Sequence, residues 1–183
     1  MKYIKTAADI KYYTPLVADI VGNAGVAITG KRVLLLGAGG AARGAVLPIL
    51  EHRPAQLVIA NRTVATAVAL AEQFAALGGE GVVSGCGFAD IEGGFDIVIN
   101  ATAASLGAEV PPVSPSVFAP GSLAFDMMYS KSPTVFLQFA GQHGARLRDG
   151  LGMLVEQAAE AFGVWRGVHP ATGDVLQRLR DQL

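Results

Sequence analysis

The chain has 183 residues, enough for one domain with a sizeable core, and 51% of them are hydrophobic, which excludes a disordered chain. The formal net charge is −1 with no basic block, which argues against a nucleic-acid footprint. The mean hydropathy of +0.42 does not imply a membrane span. Val110–Phe125 holds four prolines and Ser132–Ala145 is broken by Gly141 and Gly144, so neither supplies the ~20 apolar residues a membrane helix needs.

Residues 1–15 read as an atypical segment. Lys2, Lys5, Asp9 and Lys11 interrupt any signal-peptide apolar core, and Pro15 punctuates the stretch. Leu16–Gly22 reads as a helix leading into a sheet, with Gly25–Gly30 as the connecting loop. Arg32–Leu36 is an apolar strand, Gly40–Glu51 a helix with Pro48 near its end, and Gln56–Ala60 a second strand. Val64–Ala76 is alanine-rich and helical, closed by Gly78-Gly79. Gly81–Ser84 is a short, weak strand, after which Cys86 between Gly85 and Gly87 reads as a small residue in a tight loop. Phe95–Asn100 is a strong strand, and Leu123–Met127 is another after a proline-rich loop. Pro133–Gln142 is helical with Ser132 as candidate N-cap, and Ala145–Arg148 is a last short strand. Leu151–Arg166 is a long helix whose Leu151, Leu154, Val155, Ala158, Ala159 and Phe162 share one face. His169-Pro170 breaks the chain before a final helix from Thr172 to Leu183.

Strands alternating with helices imply βαβ units. The expected architecture is α/β: a doubly wound, mainly parallel Rossmann sheet over residues 16–183, with helices on both faces in three αβα layers. Ligands of such folds bind beyond the carboxyl ends of the strands, near the switch point.

The run VLLLGAGGAARG, Val33–Gly44, carries the chemistry at that place. Gly37, Gly39 and Ala42 stand at the three fingerprint positions of a dinucleotide-binding turn. The first permits the tight turn, the second lets backbone approach a pyrophosphate, and the third lets helix and strand pack closely. Gly37, Ala38, Gly39, Gly40 and Ala41 thus form a candidate phosphate cradle, with the N–H groups of the helix start facing the ligand. One strand later, where an NAD site places an acid, the chain has Asn61, Arg62 and Thr63. Arg62 can bond a 2′-phosphate and stack on adenine, Asn61 can bond the ribose or phosphate, and Thr63 can donate to the same phosphate or N-cap the next helix. The cofactor expected is therefore NADP rather than NAD. Asn100 and Thr102, at the end of Phe95–Asn100, either line the nicotinamide side or satisfy turn backbone. The single cysteine excludes an internal disulfide and suits a reducing cytoplasm, and His52, His143 and His169 lie far apart, so no metal site is read.

These motifs resemble the NADP-binding, C-terminal domain of the shikimate dehydrogenase family. The resemblance runs from about Leu16 to the C-terminus, on Gly30–Gly44, on Asn61–Thr63, on Gly94–Thr102 (GFDIVINAT), on Phe125–Leu137 (FDMMYS with PTVFL) and on Asp149–Gly167 (DGLGMLVEQAAEAFGVWRG). It implies that Met127 and Gly150 lie against the nicotinamide half of NADP and that Tyr129 and Gln157 reach shikimate. The implied reaction is the reversible, NADPH-dependent reduction of 3-dehydroshikimate to shikimate in aromatic amino-acid biosynthesis. The family also carries an N-terminal substrate domain with a lysine and an aspartate that handle the proton of the reacting hydroxyl. Ile10–Tyr13 stands where the aspartate's Asn-Thr-Asp-Gly segment would fall, and neither Asp9 nor Asp19 fits that motif. Thr66 stands where a second basic residue is usual, and Ala103 where a serine is. The expectation is that the substrate domain is missing or replaced, that no catalytic residue is identified, that the chain is poorly active alone, and that it forms a homo-oligomer. Two alternatives stay open: a short quinate or shikimate dehydrogenase relative with a proton donor among Lys5, Lys11, Tyr12 and Tyr13, and a non-catalytic or engineered Rossmann module.

Overall fold

Near-continuous runs of Val, Leu and Ile suit strands covered on both faces. Such runs build the middle of the sheet: β1 (Arg32–Leu36), β2 (Gln56–Ala60) and β4 (Phe95–Asn100), with β3 (Val83–Cys86), β5 (Phe118–Asp126) and β6 (Arg146–Arg148) outside them. The computed structural model describes residues 14–107 and 109–183. Residues 1–13, with the candidate proton donors Lys5, Lys11, Tyr12 and Tyr13, lie outside the described residues.

The six strands run in the order β3-β2-β1-β4-β5-β6, and every neighbouring pair is parallel. This is the doubly wound Rossmann order, with its switch point between β1 and β4. Strand alternation divides the core. Val33, Leu35, Leu57, Ile59, Ile97, Ile99, Leu123 and Phe125 point to the face covered by helices α1 (Thr14–Ala18), α2 (Gly40–Glu51) and α3 (Val64–Gly78). Leu34, Leu36, Val58, Val98 and Ala124 point to the other, where α4 (Val135–Gln142) supplies Phe136, Leu137 and Ala140. Helix α5 (Leu151–Arg166) packs on α1, and α6 (Gly173–Gln182) packs on α5.

Several boundaries differ from the sequence expectation. The first helix already includes Thr14 and Pro15, so residue 16 is not an element boundary, and α1 runs on into a π-helical turn, Asp19–Asn23. β3 lies later than Gly81–Ser84 and takes in Cys86, which is half-buried at a strand end rather than in a loop. Its Leu57–Val83 register sets that position, a non-local preference that the weak local pattern does not carry. β5 begins at Phe118, well before Leu123. Phe95 pairs with Phe118 but Ile97 pairs with Leu123, so the extra residues, including Gly121 at φ 72°, form an irregularity inside the strand. α4 begins at Val135, capped by Thr134 rather than Ser132: the Thr134 hydroxyl accepts the Leu137 N–H at 3.3 Å. Leu151, Val155 and Ala159 of α5 are buried, whereas Leu154, Ala158 and Phe162, expected on the same face, are exposed.

Candidate functional site

β1 ends at Leu36, and the next residue, Gly37, takes φ 105°, a left-handed value. A Cβ there would stand 3.1 Å from the Ala101 carbonyl oxygen, so both the turn and the neighbouring β4 loop require glycine. The Gly37 N–H donates to the Ala60 carbonyl at 2.7 Å, and the Ala101 N–H to the Leu36 carbonyl at 2.9 Å, which ties the three strand ends together. Gly39 is the N-cap of α2 with no side-chain cap bond. A Cβ built on Gly39 or Gly40 meets nothing within 4 Å, so the space in front of this helix start is open. Ala42, at the third fingerprint position, is fully buried.

That space is a cleft of about 660 Å³. Gly37, Ala38, Gly39, Gly40 and Ala41 line it together with Asn61, Arg62 and Thr102, the last lying against Gly37. Arg62 is exposed, and among the described residues it forms no ion pair. Asn61 donates through Nδ2 to the Thr63 carbonyl at 3.1 Å, which shapes the turn that presents Arg62. Thr63 is exposed at the N-cap of α3, does not line the cleft, and makes no side-chain cap bond. Asn100 is fully buried, and its Oδ1 accepts the Thr102 hydroxyl at 2.7 Å and the Thr102 N–H at 3.1 Å. These bonds shape the turn after β4 and hold Thr102 at the cleft. The cleft also takes in Phe88 and Glu109–Pro112, which no motif marked. Phe88 follows a weak strand, and the other residues belong to a loop whose placement depends on distant packing.

Met127 and Gly150 meet where β5 and β6 end. The Gly150 N–H donates to the Met128 carbonyl at 3.0 Å, and a Cβ on Gly150 would fall 2.1 Å from the Met127 carbonyl oxygen. Met127 and Gly150 are therefore pressed together. Tyr129, 42% exposed, lies in the loop after β5, and the half-buried Gln157 lies on α5. Asp126 organises that loop: its carboxylate accepts the Thr134 hydroxyl at 2.6 Å and the Met128 N–H at 3.1 Å. Met127, Tyr129, Gly150 and Gln157 stand apart from the lining of the 660 Å³ cleft.

The Cys86 thiol is pushed up by burial and by the Asp90 carboxylate, which keeps it protonated and a poor nucleophile. Among the described residues no three His, Cys, Asp or Glu side chains come together as a metal site, and no helix is long and apolar enough to cross a membrane.

Comparison with known proteins agrees with this geometry. A family model described as shikimate/quinate 5-dehydrogenase matches residues 18–107, and one described as shikimate 5′-dehydrogenase C-terminal domain matches residues 150–180. The chain belongs to the shikimate dehydrogenase family. It is 62% identical over 168 residues to shikimate dehydrogenase (NADP(+)) of Janthinobacterium sp. (strain Marseille), covering 92% of this chain and 60% of that relative. Among solved structures, an Ael1 enzyme from Pseudomonas putida superposes with a TM-score of 0.86 at 47% identity, over 92% of this chain and 62% of that one. A shikimate dehydrogenase solved in complex with NADP+ superposes with a TM-score of 0.77 at 30% identity, over 94% and 61%. The chain spans about 60% of the length of the curated relatives it matches.

Proposed function

We propose that this chain is the NADP-binding part of a shikimate dehydrogenase-like oxidoreductase. The observation that carries the reading is the open helix start at Gly39 and Gly40, which shares one cleft with the exposed Arg62. The backbone N–H groups of Gly37–Ala41 would hold the pyrophosphate, and the exposed Arg62 guanidinium would take the 2′-phosphate. Met127 and Gly150 would bound the nicotinamide half, and Tyr129 and Gln157 would contribute to the shikimate pocket. NADPH supplies the hydride that turns 3-dehydroshikimate into shikimate. The single cysteine fits a reducing cytoplasm as the setting. On this reading residues 16–183 form the cofactor domain.

The test is calorimetric titration of the chain and of Arg62→Ala with NADP and with NAD. Loss of a charge-assisted bond should weaken NADP by roughly ten- to a hundredfold while leaving NAD nearly unchanged. Equal weakening of both cofactors would overturn the assignment of Arg62. Self-association of the chain belongs to the same reading, supported by the exposed Leu154, Phe162 and Trp165 along α5. Sedimentation that shows a strict monomer at high concentration would count against it.

A further inference from the structure

Helix α6 fully buries none of its side chains, and Leu176 and Leu179 are half-buried. Polar contacts join both of its ends to the rest of the fold. At its start the Thr172 hydroxyl donates to Glu156 Oε1 on α5 at 2.7 Å. In its last turn Arg180 sets its two terminal nitrogens on the two oxygens of Asp149, at 2.5 and 2.6 Å. The paired fork is the strong, direction-fixing form of such a contact. The Asp149 side chain is 10% exposed and that of Arg180 40%, so the guanidinium closes the carboxylate off from water. The carboxylate in turn raises the guanidinium's affinity for its proton.

Asp149 is the residue before Gly150. Its Oδ1 also accepts the Leu151 N–H at 3.3 Å, at the first turn of α5. Gly150 then lies hard against Met127. Gly150 has no side chain to anchor the turn, and Met127 carries a flexible one. The fixed point of this wall is therefore the Asp149 carboxylate, gripped from the far side by Arg180.

We propose that Arg180 is a positioning residue: the C-terminal helix is a buttress that, through the Arg180–Asp149 fork, holds Gly150 against Met127 as the wall for the nicotinamide half of the cofactor. The proposal rests on the NADP reading above. It separates the two halves of the ligand. The adenosine half sits at Gly37–Ala41 and Arg62, at the ends of β1 and β2, and the fork does not touch those residues. Losing the fork loosens only the turn at the ends of β5 and β6.

The experiment titrates the 183-residue chain, Arg180→Ala, Arg180→Lys and the exposed-surface control Arg178→Ala with two probes. NADPH is followed by its nicotinamide fluorescence, and adenosine 2′,5′-bisphosphate, which lacks the nicotinamide half, by calorimetry. Arg180→Ala should weaken NADPH by about tenfold and leave the bisphosphate within about twofold. Arg180→Lys should recover only part of the loss, because an ammonium cannot bridge both carboxylate oxygens as a fork. Arg178→Ala should match the parent chain. Amide exchange gives a ligand-free readout: the Gly150 and Leu151 protons should exchange faster in Arg180→Ala, with Leu34 and Leu35 unchanged. Equal weakening of both probes, undiminished NADPH binding, or unaltered exchange at Gly150 and Leu151 would each overturn the proposal. If the parent chain binds neither probe, the NADP reading falls, and the exchange data alone decide whether Arg180 holds the turn.

Discussion

Asp96 begins the inner part of β4 and links it to β1 by two contacts of different kinds. Its Oδ2 accepts the Arg32 backbone N–H at 2.9 Å, and its Oδ1 accepts the Lys31 ammonium at 3.1 Å. The Arg32 N–H, helped by the Lys31 and Arg32 charges and opposed by burial, holds its carboxyl below the ordinary value of 3.8. A carboxylate with a lowered folded pKa stabilises the fold at pH above its unfolded value, and that contribution fades as pH falls through the folded one. Asp96→Asn should therefore lower the urea midpoint at neutral pH. The gap to the parent chain should stay constant down to about pH 4 and close below it. The side chain is 37% exposed, so added salt should shrink the effect at every pH. A gap that persists unchanged into strong acid would show that Asp96 acts through packing instead. Residues of this kind are hard to read from sequence. The glycine turn after β1 and the place of Arg62 after β2 are legible because their spacing from the strand ends is local. The value of Asp96 depends on a strand neighbour 64 residues away.

At the scale of elements, the same contrast separates strands from their partners. β1, β2, β4 and α2 are legible from short-range pattern, because a buried parallel strand and a glycine-opened helix each have a local signature. The face of α5 is not. Apolar residues on two of its sides satisfy the helical period equally well, and only the contact with α1 selects Leu151, Val155 and Ala159. Beside that contact a buried ion pair ties the turn after α1 to β6. Asp19, in the π-helical turn after α1, is fully buried and takes Nε of Arg148 at 3.1 Å as well as its NH2 group. Asn23 bridges from Asp19 at 2.9 Å to Glu156 of α5 at 3.1 Å. Gly152 gives the carboxylate its room, since a Cβ there would fall 2.0 Å from Asp19 Oδ1. Removing one partner of a buried pair leaves the other charge poorly compensated, at a cost of about 3–5 kcal/mol. Arg148 is 21% exposed and can recover some hydration. Asp19→Ala should thus lose about 3 kcal/mol, near the lower end of that range. Urea unfolding followed by helical circular dichroism measures it. A loss under about 1 kcal/mol would place the pair with surface contacts instead.

All neighbouring strands being parallel, the Gly37–Ala41 turn after β1 and the Met127–Gly150 contact after β5 and β6 fall at one edge of the sheet, and on the proposed reading they serve the two halves of the cofactor, with Tyr129 and Gln157 toward the substrate. Cofactor binding and turnover make different demands on that arrangement. On the proposed reading the first needs the Gly37–Ala41 turn, Arg62, and Met127 with Gly150. The second also needs a proton donor at the reacting hydroxyl and a substrate held in line with the hydride. At the positions that would match the family's aspartate the chain has Ile10–Tyr13, and no motif matches the family's lysine. General acid–base help contributes roughly 10²–10⁴-fold, and orientation adds to it. The 183 residues assayed by themselves should therefore bind NADP yet reduce it with excess shikimate far more slowly than the ordinary enzyme range of ~1–10³ s⁻¹. Both losses act on one transition state, so restoring a single acid within Ile10–Tyr13 should not recover turnover, whereas a separately supplied substrate domain should raise it. Nicotinamide absorbance under saturating NADP measures both arms. Turnover within the ordinary range from these residues alone would place a working proton donor among Lys5, Lys11, Tyr12 and Tyr13, and substitution of each in turn would identify it.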